Sequence, residues 1–502
     1  MKKNILLTAL LIFTSSITFS QARIDRQILA GLDKIYNFRW DDGLKIFNTI
    51  IKNDPQNPRG YHYKSIVYLW YYLGNFNEAY LDTFNILSDK ALDLASDKMN
   101  ENASADLSYL IGSIYYNKSI AEARSGSYLQ ALWTSNKMKQ NLDSALKEDP
   151  HLYDAYLGLG LYNFALSQIP SSLDWAAKLV GINADKETGL KYVKETIQRG
   201  KFSKVDAEFY LSQIYSRVIV NDPAAREILN SLLRRYPKNL LFKFSLGWVD
   251  YEMNDLAAAE RQVKPVITSQ DSLFPFVVSN SEYIMGNILF SKSLYDSAIT
   301  FYKSFLDNAV NDDYKGISNL KIGLCYEIEV NRKEAIKYYE KASTGNSDID
   351  EDLYAERKKD EYLENKLSND QIRLIEFANL LKQNKLKIAK DSLKSFIQKP
   401  KLDKRSLAKA YLYLAEISYY QKKYKESLDF AVQCVKTDIE SDLWIHAFAH
   451  YYAAWDCYNL KNYLDAKLFL LQIDDIGEYD FRNSLINKIY SLKRLLPEEK
   501  KD

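Results

Sequence analysis

Catalysis needs groups that move protons, hold metals or attack as nucleophiles, and this chain carries few in suggestive arrangements. It has four histidines, His62, His151, His446 and His450, among 502 residues. Asp442, His446 and His450 stand at i, i+4 and i+8. On one helix they would share a face, and two imidazoles with a carboxylate form a zinc-binding donor set. Any helix with one packed face produces the same spacing, and no glutamate base lies in the motif, so neither a bound metal nor hydrolysis at one is expected. The sequence contains no G-x-x-x-x-G-K-S/T, H-E-x-x-H, C-x-x-C or G-x-S-x-G. Its 66 Asp and Glu residues would supply a glycosidase-type pair by number alone, yet no spacing singles one out. The residues therefore predict no enzyme and no cofactor.

Composition narrows the remaining classes. Lys and Arg number 67 against 66 Asp and Glu, a formal net charge of +1, which lacks the basic excess of an electrostatic nucleic-acid binder. Glycine (17) and proline (10) are scarce, which disfavours turn-rich β folds and glycine-rich phosphate loops. A hydrophobic share of 47% excludes general disorder. Residues 1–22 read as a signal peptide: Lys2 and Lys3, an apolar run from Ile5 to Phe13, then Ser20 and Ala22 at −3 and −1 of a cleavage site. Cleavage after Ser20 fits nearly as well. No cysteine stands there to carry a lipid, and no later stretch approaches the ~20 apolar residues of a membrane span. The richness in Lys, Asn, Ile and Tyr and the FSQ/A ending resemble exported proteins of Bacteroidetes-type Gram-negative bacteria, which implies the periplasm or, alternatively, secretion. Cys325, Cys434 and Cys457 are too few for a disulfide framework and read as small buried apolar groups, though Cys434 and Cys457 could face each other across neighbouring helices.

The elements that hold these residues follow from an internal repeat of about 34 residues. In residues 316–349, Ile322, Gly323 and Tyr326 fall on a first helix, and Ala335, Tyr339 and Ala342 on a second. Two paired helices approach closely only where small residues sit at the crossing, while larger residues fill the gap to the next pair. The same frame recurs at Gly31/Gly43/Phe47, Leu159/Gly160, Leu246/Gly247/Ala259, Gly286/Ala298, Leu414/Ala415 and Ala454/Ala466/Leu470. Pro55, Pro150 and Pro237 each close a second helix. This small/large grammar resembles the tetratricopeptide repeat, which implies an all-α, TPR-like α-solenoid of stacked antiparallel helical hairpins, about ten units with some degenerate. Tyr153–Ile197, with GLGLYNFALSQIP and LVGINADKETGL, also resembles the eukaryotic repeat proteins linked to inclusion clearance. The expected organisation is an N-terminal array over 23–343 with a helical insertion at 165–202, a charged solvated helix or linker over 344–370, a C-terminal array over 371–496 and a charged tail at 497–502.

The resemblance also implies where binding occurs. Carried onto this chain, the positions by which such repeats contact ligand are often aromatic: Tyr61, Tyr68 and Tyr71; Phe244, Trp248 and Tyr251; Tyr283 and Phe290; Tyr451, Trp455 and Tyr458. Tyrosine and tryptophan offer rigid apolar bodies with a polar edge, suited to peptides and to sugars; the same rings could equally pack between hairpins. The family's carboxylate clamp is not expected, because only Asn287 fits it where Tyr68, Leu161, Trp248, Leu324 and Trp455 stand in the other units. The expected function is a non-catalytic protein- or peptide-binding scaffold, perhaps in an envelope complex. The alternative is a glycan-binding nutrient-uptake protein of the outer membrane.

Overall fold

Helix-favouring runs separated by turns of a few residues set the architecture. The computed structural model describes residues 21–166, 185–269 and 271–497; those described are helical or in turns, with no β-strand among them. Helix α1 covers 21–36. It is followed by α2 (Trp40–Asn53), α3 (Pro58–Asn75), α4 (Glu78–Glu101), α5 (Ala105–Arg124), α6 (Tyr128–Glu148), α7 (Ala155–Leu166) and α8 (Lys186–Arg199). Then come α9 (Lys204–Arg217), α10 (Asp222–Arg235), α11 (Leu240–Glu252), α12 (Leu256–Ser269), α13 (Pro275–Ser291), α14 (Tyr295–Asn308), α15 (Lys315–Ile328) and α16 (Arg332–Tyr339). The last are α17 (Asp350–Glu364), α18 (Asn369–Lys382), α19 (Leu386–Phe396), α20 (Lys404–Tyr420), α21 (Tyr424–Lys436), α22 (Trp444–Asn459), α23 (Tyr463–Asp474) and α24 (Arg482–Lys493).

One turn design joins the helices of successive hairpins. Two residues past the first helix, the chain enters the left-handed region at Gly126, Asn254, Ser293, Val330, Asn384, Lys422 and Lys461. The next N–H then donates back across five residues, as from Asn331 to the Tyr326 carbonyl (2.7 Å) and from Asn462 to the Cys457 carbonyl (2.8 Å). This closes the frayed carbonyls of the first helix and turns the chain tightly enough to start the second.

The small residues sit where the grammar requires. A β-carbon on Gly286 would lie 2.7 Å from the Tyr302 ring, and one on Gly247 would lie 2.5 Å from Val263. Gly323 lies under Tyr339, and Gly31 under Phe47, in the same way. Ala259, Ala298, Ala335, Ala342, Ala415, Ala454 and Ala466 are all fully buried. The fold is the expected one: all-α, built of antiparallel helical hairpins stacked in the manner of a TPR-like α-solenoid.

The chain divides into two units. The first comprises the described residues of Met1–Ser212 with Ile228–Phe242 and Ser272–Phe274. Its core includes Phe47, Phe84, Ile114, Met138 and Leu142. The second comprises Gln213–Glu227, Lys243–Asp271 and the described residues of Pro275–Asp502. Its core includes Tyr302, Phe305, Tyr339, Phe377 and Leu414. Residues 1–20 of the expected signal peptide lie outside the described residues, as do 167–184 of the expected insertion and 498–502 of the expected tail. What is described of the insertion includes α8, which pairs with α7: a β-carbon on Gly160 or on Gly189 would each lie 2.9 Å from the other's carbonyl oxygen.

The charged stretch Thr344–Asp370 differs from a solvated segment. It lies inside the second unit and supplies α17, where Asp352 is 3% and Lys358 2% exposed. The Asp352 carboxylate accepts the backbone N–H groups of Tyr314 (2.7 Å), Ile317 (2.8 Å) and Asn346 (3.0 Å), tying α17 to the start of α15. Lys358 donates to Asp442 and Glu361, each at 2.6 Å. Charges enter the interior here because each meets an opposite charge or a backbone donor.

Candidate binding face

The first-unit rings Tyr61, Tyr68 and Tyr71 lie on α3 and serve packing first. Tyr71 is 5% exposed, with its ring centroid 5.4 Å from Trp40 and 5.2 Å from Tyr80. Tyr68 is half-buried, 5.9 Å from Tyr71. Tyr61 is half-buried beside Ala91, Ala95 and Leu110.

In the second unit the rings divide into buried and half-exposed sets. Phe244 and Tyr283 are buried at 6% and 3% exposure. Tyr283 stacks on Tyr314 at 4.7 Å and packs on Phe305 at 5.4 Å. Trp248 is half-exposed between Tyr283 (6.4 Å) and Tyr314 (5.7 Å), with the Arg217 guanidinium 6.0 Å from its ring. Tyr251, one helical turn on, is half-exposed with the Lys382 ammonium 4.5 Å over its face. Phe290 is half-exposed, 5.7 Å from the Lys321 ammonium. Trp248, Tyr251, Tyr283 and Phe290 thus belong to one neighbourhood contributed by α11 and α13. Tyr451, Trp455 and Tyr458 form another on α22, with Trp455 5.6 Å from Tyr458 and 6.2 Å from Tyr419. The Trp455 indole N–H is buried beside the Tyr451 hydroxyl. Asn287 is taken inside the fold: its side-chain oxygen accepts the Tyr302 hydroxyl at 2.8 Å and the Lys321 ammonium.

Charged groups that the aromatic pattern did not signal share the first of these neighbourhoods. Burial pushes Asp222 up to about 6; Glu252 adds to this, while Ser216, Lys488 and Lys382 oppose it. Burial likewise pushes Glu351 up to about 7, helped by Glu252 and Asp350 and opposed by Lys321. Lys321 is pushed down to about 8 by burial, with Glu351 opposing. Burial would lower Lys382, but Glu252, Tyr251, Glu416 and Asp222 outweigh it and raise the ammonium. These groups come from α10, α11, α15, α17, α18, α20 and α24, far apart in sequence, so no local spacing reveals them. Together they make a face of aromatic rings set among partly desolvated charges of both signs. Such a face suits a polypeptide that offers apolar side chains, backbone amides and charges at once.

The histidine set is distributed among other partners. Asp442 pairs with Lys358 (2.6 Å), Arg357 (2.8 Å) and Arg405 (3.3 Å). These cations outweigh burial and hold its carboxyl down at about 2. His446 Nε2 lies 3.0 Å from the Thr437 carbonyl. His450 is buried beside Phe469, and burial pushes it down to about 4. Among the described residues no group of three or more His, Cys, Asp or Glu is arranged to hold a metal ion. Cys325, Cys434 and Cys457 are unpaired and buried, and burial raises all three thiols. No described helix is long and apolar enough to cross a membrane.

No protein-family model matches the chain. Solved structures similar to it include the TPR domain of P58(IPK), at 12% identity over 77% of this chain and all of that one, with a TM-score of 0.22. Yeast Tom70 is similar at 13% identity, covering 95% of this chain and 96% of that one, with a TM-score of 0.29. The APC/C hetero-tetramer Cut9–Hcn1 is similar at 14% identity with the same coverage and a TM-score of 0.25.

Proposed function

We propose that the chain is a non-catalytic protein- or peptide-binding scaffold of the bacterial cell envelope, exported on its N-terminal signal and suited to an envelope complex. The partner lies along the second unit's aromatic and charged face. The observation that carries this reading is the partly exposed row of Trp248, Tyr251 and Phe290, each beside a cationic side chain. The exposed edges of these rings can take apolar side chains, while Arg217 and the Lys382–Glu252 pair (3.9 Å) meet charges and backbone groups. The repeat architecture favours this role, because each hairpin adds contact area without requiring its neighbours to refold.

The test is a pull-down of the mature chain from its own envelope, compared with Trp248→Ala/Tyr251→Ala. Partners retained by the parent and lost by the double variant support the reading. Equal recovery of the same partners overturns the placement on this face, and strong hits on a glycan array instead would move the reading to sugar binding.

A further inference from the structure

We propose that the first unit carries a receptor for an alkylammonium head, a cavity lined by the rings of Tyr36, Tyr63, Tyr109, Tyr116 and Tyr210 and by the Asp206 carboxylate. The cavity measures ≈ 80 Å³, and every residue lining it belongs to the first unit. A water needs only about 10–15 Å³ by this measure, so a small organic head fits.

The lining selects for positive charge. It contains two carboxylates, Asp154 and Asp206, and no lysine or arginine. Asp154 is committed to the backbone, accepting the N–H groups of Lys201 (3.0 Å), Phe202 (2.9 Å) and Ser203 (2.8 Å). Asp206 takes one hydrogen bond, from the Tyr36 hydroxyl to Oδ2 at 2.9 Å. It meets no cationic side chain among the described residues, although burial would ordinarily demand one. Phenol faces carry negative quadrupole charge, so the walls and the carboxylate attract the same kind of guest.

A second feature points to a missing donor. His62 is 3% exposed, lines the same cavity, and its Nδ1 has no partner. Burial, aided by the Arg59 charge outside the lining, drives its pKa down to about 3, so the ring is neutral, and Nδ1 accepts when the proton sits on Nε2. The Tyr116 hydroxyl, also buried, sits beside Tyr210 without a well-formed hydrogen bond. An ammonium brings three donors to a site that is rich in acceptors.

Binding should then depend on pH. Burial lifts the Asp206 carboxyl to about 7, with Asp154 adding to the rise and the Tyr36 hydroxyl opposing it. The other groups facing it are Tyr116 on α5, Tyr210 on α9 and Tyr236 after α10, all held neutral by raised pKa values. Between pH 6 and 8 the carboxylate ionises while an alkylammonium stays charged, so apparent affinity should rise about tenfold.

The experiment is calorimetric titration of the full chain with n-butylammonium, n-butyrate and a peptide bearing one lysine, at pH 6 and 8. Saturable binding of butylammonium that strengthens about tenfold at pH 8, with no butyrate binding, supports the site. A peptide that binds more tightly than free butylammonium would make a lysine side chain the natural guest, and the reverse order a free amine. Asp206→Asn should weaken binding at pH 8 at least tenfold, with its thermal midpoint recorded beside it. The pH comparison needs no variant, so misfolding of Asp206→Asn would not rescue the idea. Absence of saturable butylammonium binding, equal binding of butyrate, or an affinity unchanged between pH 6 and 8 would overturn it.

Discussion

Replacing Asp456 with asparagine should stabilise the protein at neutral pH and destabilise it slightly in acid. Asp456 lies on α22, fully buried, and neither carboxylate oxygen has a partner. The nearby Ser427 hydroxyl is spent on the Ala415 carbonyl at 2.9 Å. Burial pushes the Asp456 carboxyl up to about 8, with the Ser427 hydroxyl opposing the rise. The folded state therefore keeps this proton up to that pH, whereas the unfolded chain loses it near an ordinary aspartate pKa of about 3.9. Between those values the folded state binds more protons, so stability falls as pH rises, by about 1.4 kcal/mol per unit. By pH 7 the accumulated cost is about 4 kcal/mol as an upper figure. Asparagine is neutral at every pH and nearly isosteric, so it removes this term. Its amide still wants partners in an apolar site, which takes back about 1–2 kcal/mol. The expected net effect is a gain of about 2–3 kcal/mol at pH 7 and a loss of about 1 kcal/mol at pH 4. Urea denaturation of both proteins at pH 4.5, 6 and 7.5 checks it. A stability difference that does not grow with pH, or a variant less stable at pH 7.5, would refute the reasoning.

Other substitutions probe the turns, the crossings and the ion cluster. Val330, 91% exposed at φ +63° in its turn, is β-branched in a conformation that favours glycine, so Val330→Gly should raise stability by about 1 kcal/mol in thermal or chemical denaturation. Gly323→Ala drives a methyl into the fully buried Tyr339 ring and should cost about 1–3 kcal/mol, read as a lowered melting temperature. Asp442→Ala leaves Lys358 buried with Glu361 alone and should cost about 3 kcal/mol. Because the Asp442 pKa is depressed, its contribution is intact above about pH 4 and disappears towards pH 2, so parent and variant should converge in stability there.

What could be read from the sequence was local. Gly247, Gly286 and Gly323 were legible because a close crossing excludes a β-carbon, and Pro55, Pro150 and Pro237 because each follows a helix end by two residues. The turn residues Val330 and Lys422 were not, since neither is a type that favours positive φ; the hairpin geometry overrides their preference. The chemistry of Thr344–Asp370 was hidden for a different reason. Lys358 and Asp442 stand 84 positions apart, so a charge run that looks wet in sequence is neutralised by a distant partner. The aromatic residues were legible as a recurring set in the repeat frame, but Tyr71 and Tyr283 are buried by Trp40 and Tyr314, which no repeat frame specifies. The phenol-lined cavity around Asp206 draws on α1, α3, α5 and α9, and no motif spans them.

The crossing positions also explain why the repeat tolerates such varied residues. Sixteen positions after each small residue of a first helix stands the side chain that covers it. Where the first is glycine, the second is an aromatic ring at three crossings, Phe47 over Gly31, Tyr302 over Gly286 and Tyr339 over Gly323, and a valine at a fourth, Val263 over Gly247. Where the first is alanine, the partner is smaller or lacks a ring: Ala431 for Ala415 and Leu470 for Ala454, all buried. A ring is admitted only where the facing residue has no β-carbon, because interiors are close-packed and the helices meet at a short distance. Where the ring over glycine is tyrosine it brings a hydroxyl with it, and that hydroxyl must be satisfied in the interior. Tyr302 finds Asn287 (2.8 Å) and Tyr339 finds Glu327 (2.9 Å), each on the helix the ring covers. A glycine in the first helix thus constrains the second helix through size and, where the ring is tyrosine, its own helix through polarity. The aromatic face is held on a scaffold whose side chains are chosen in linked sets.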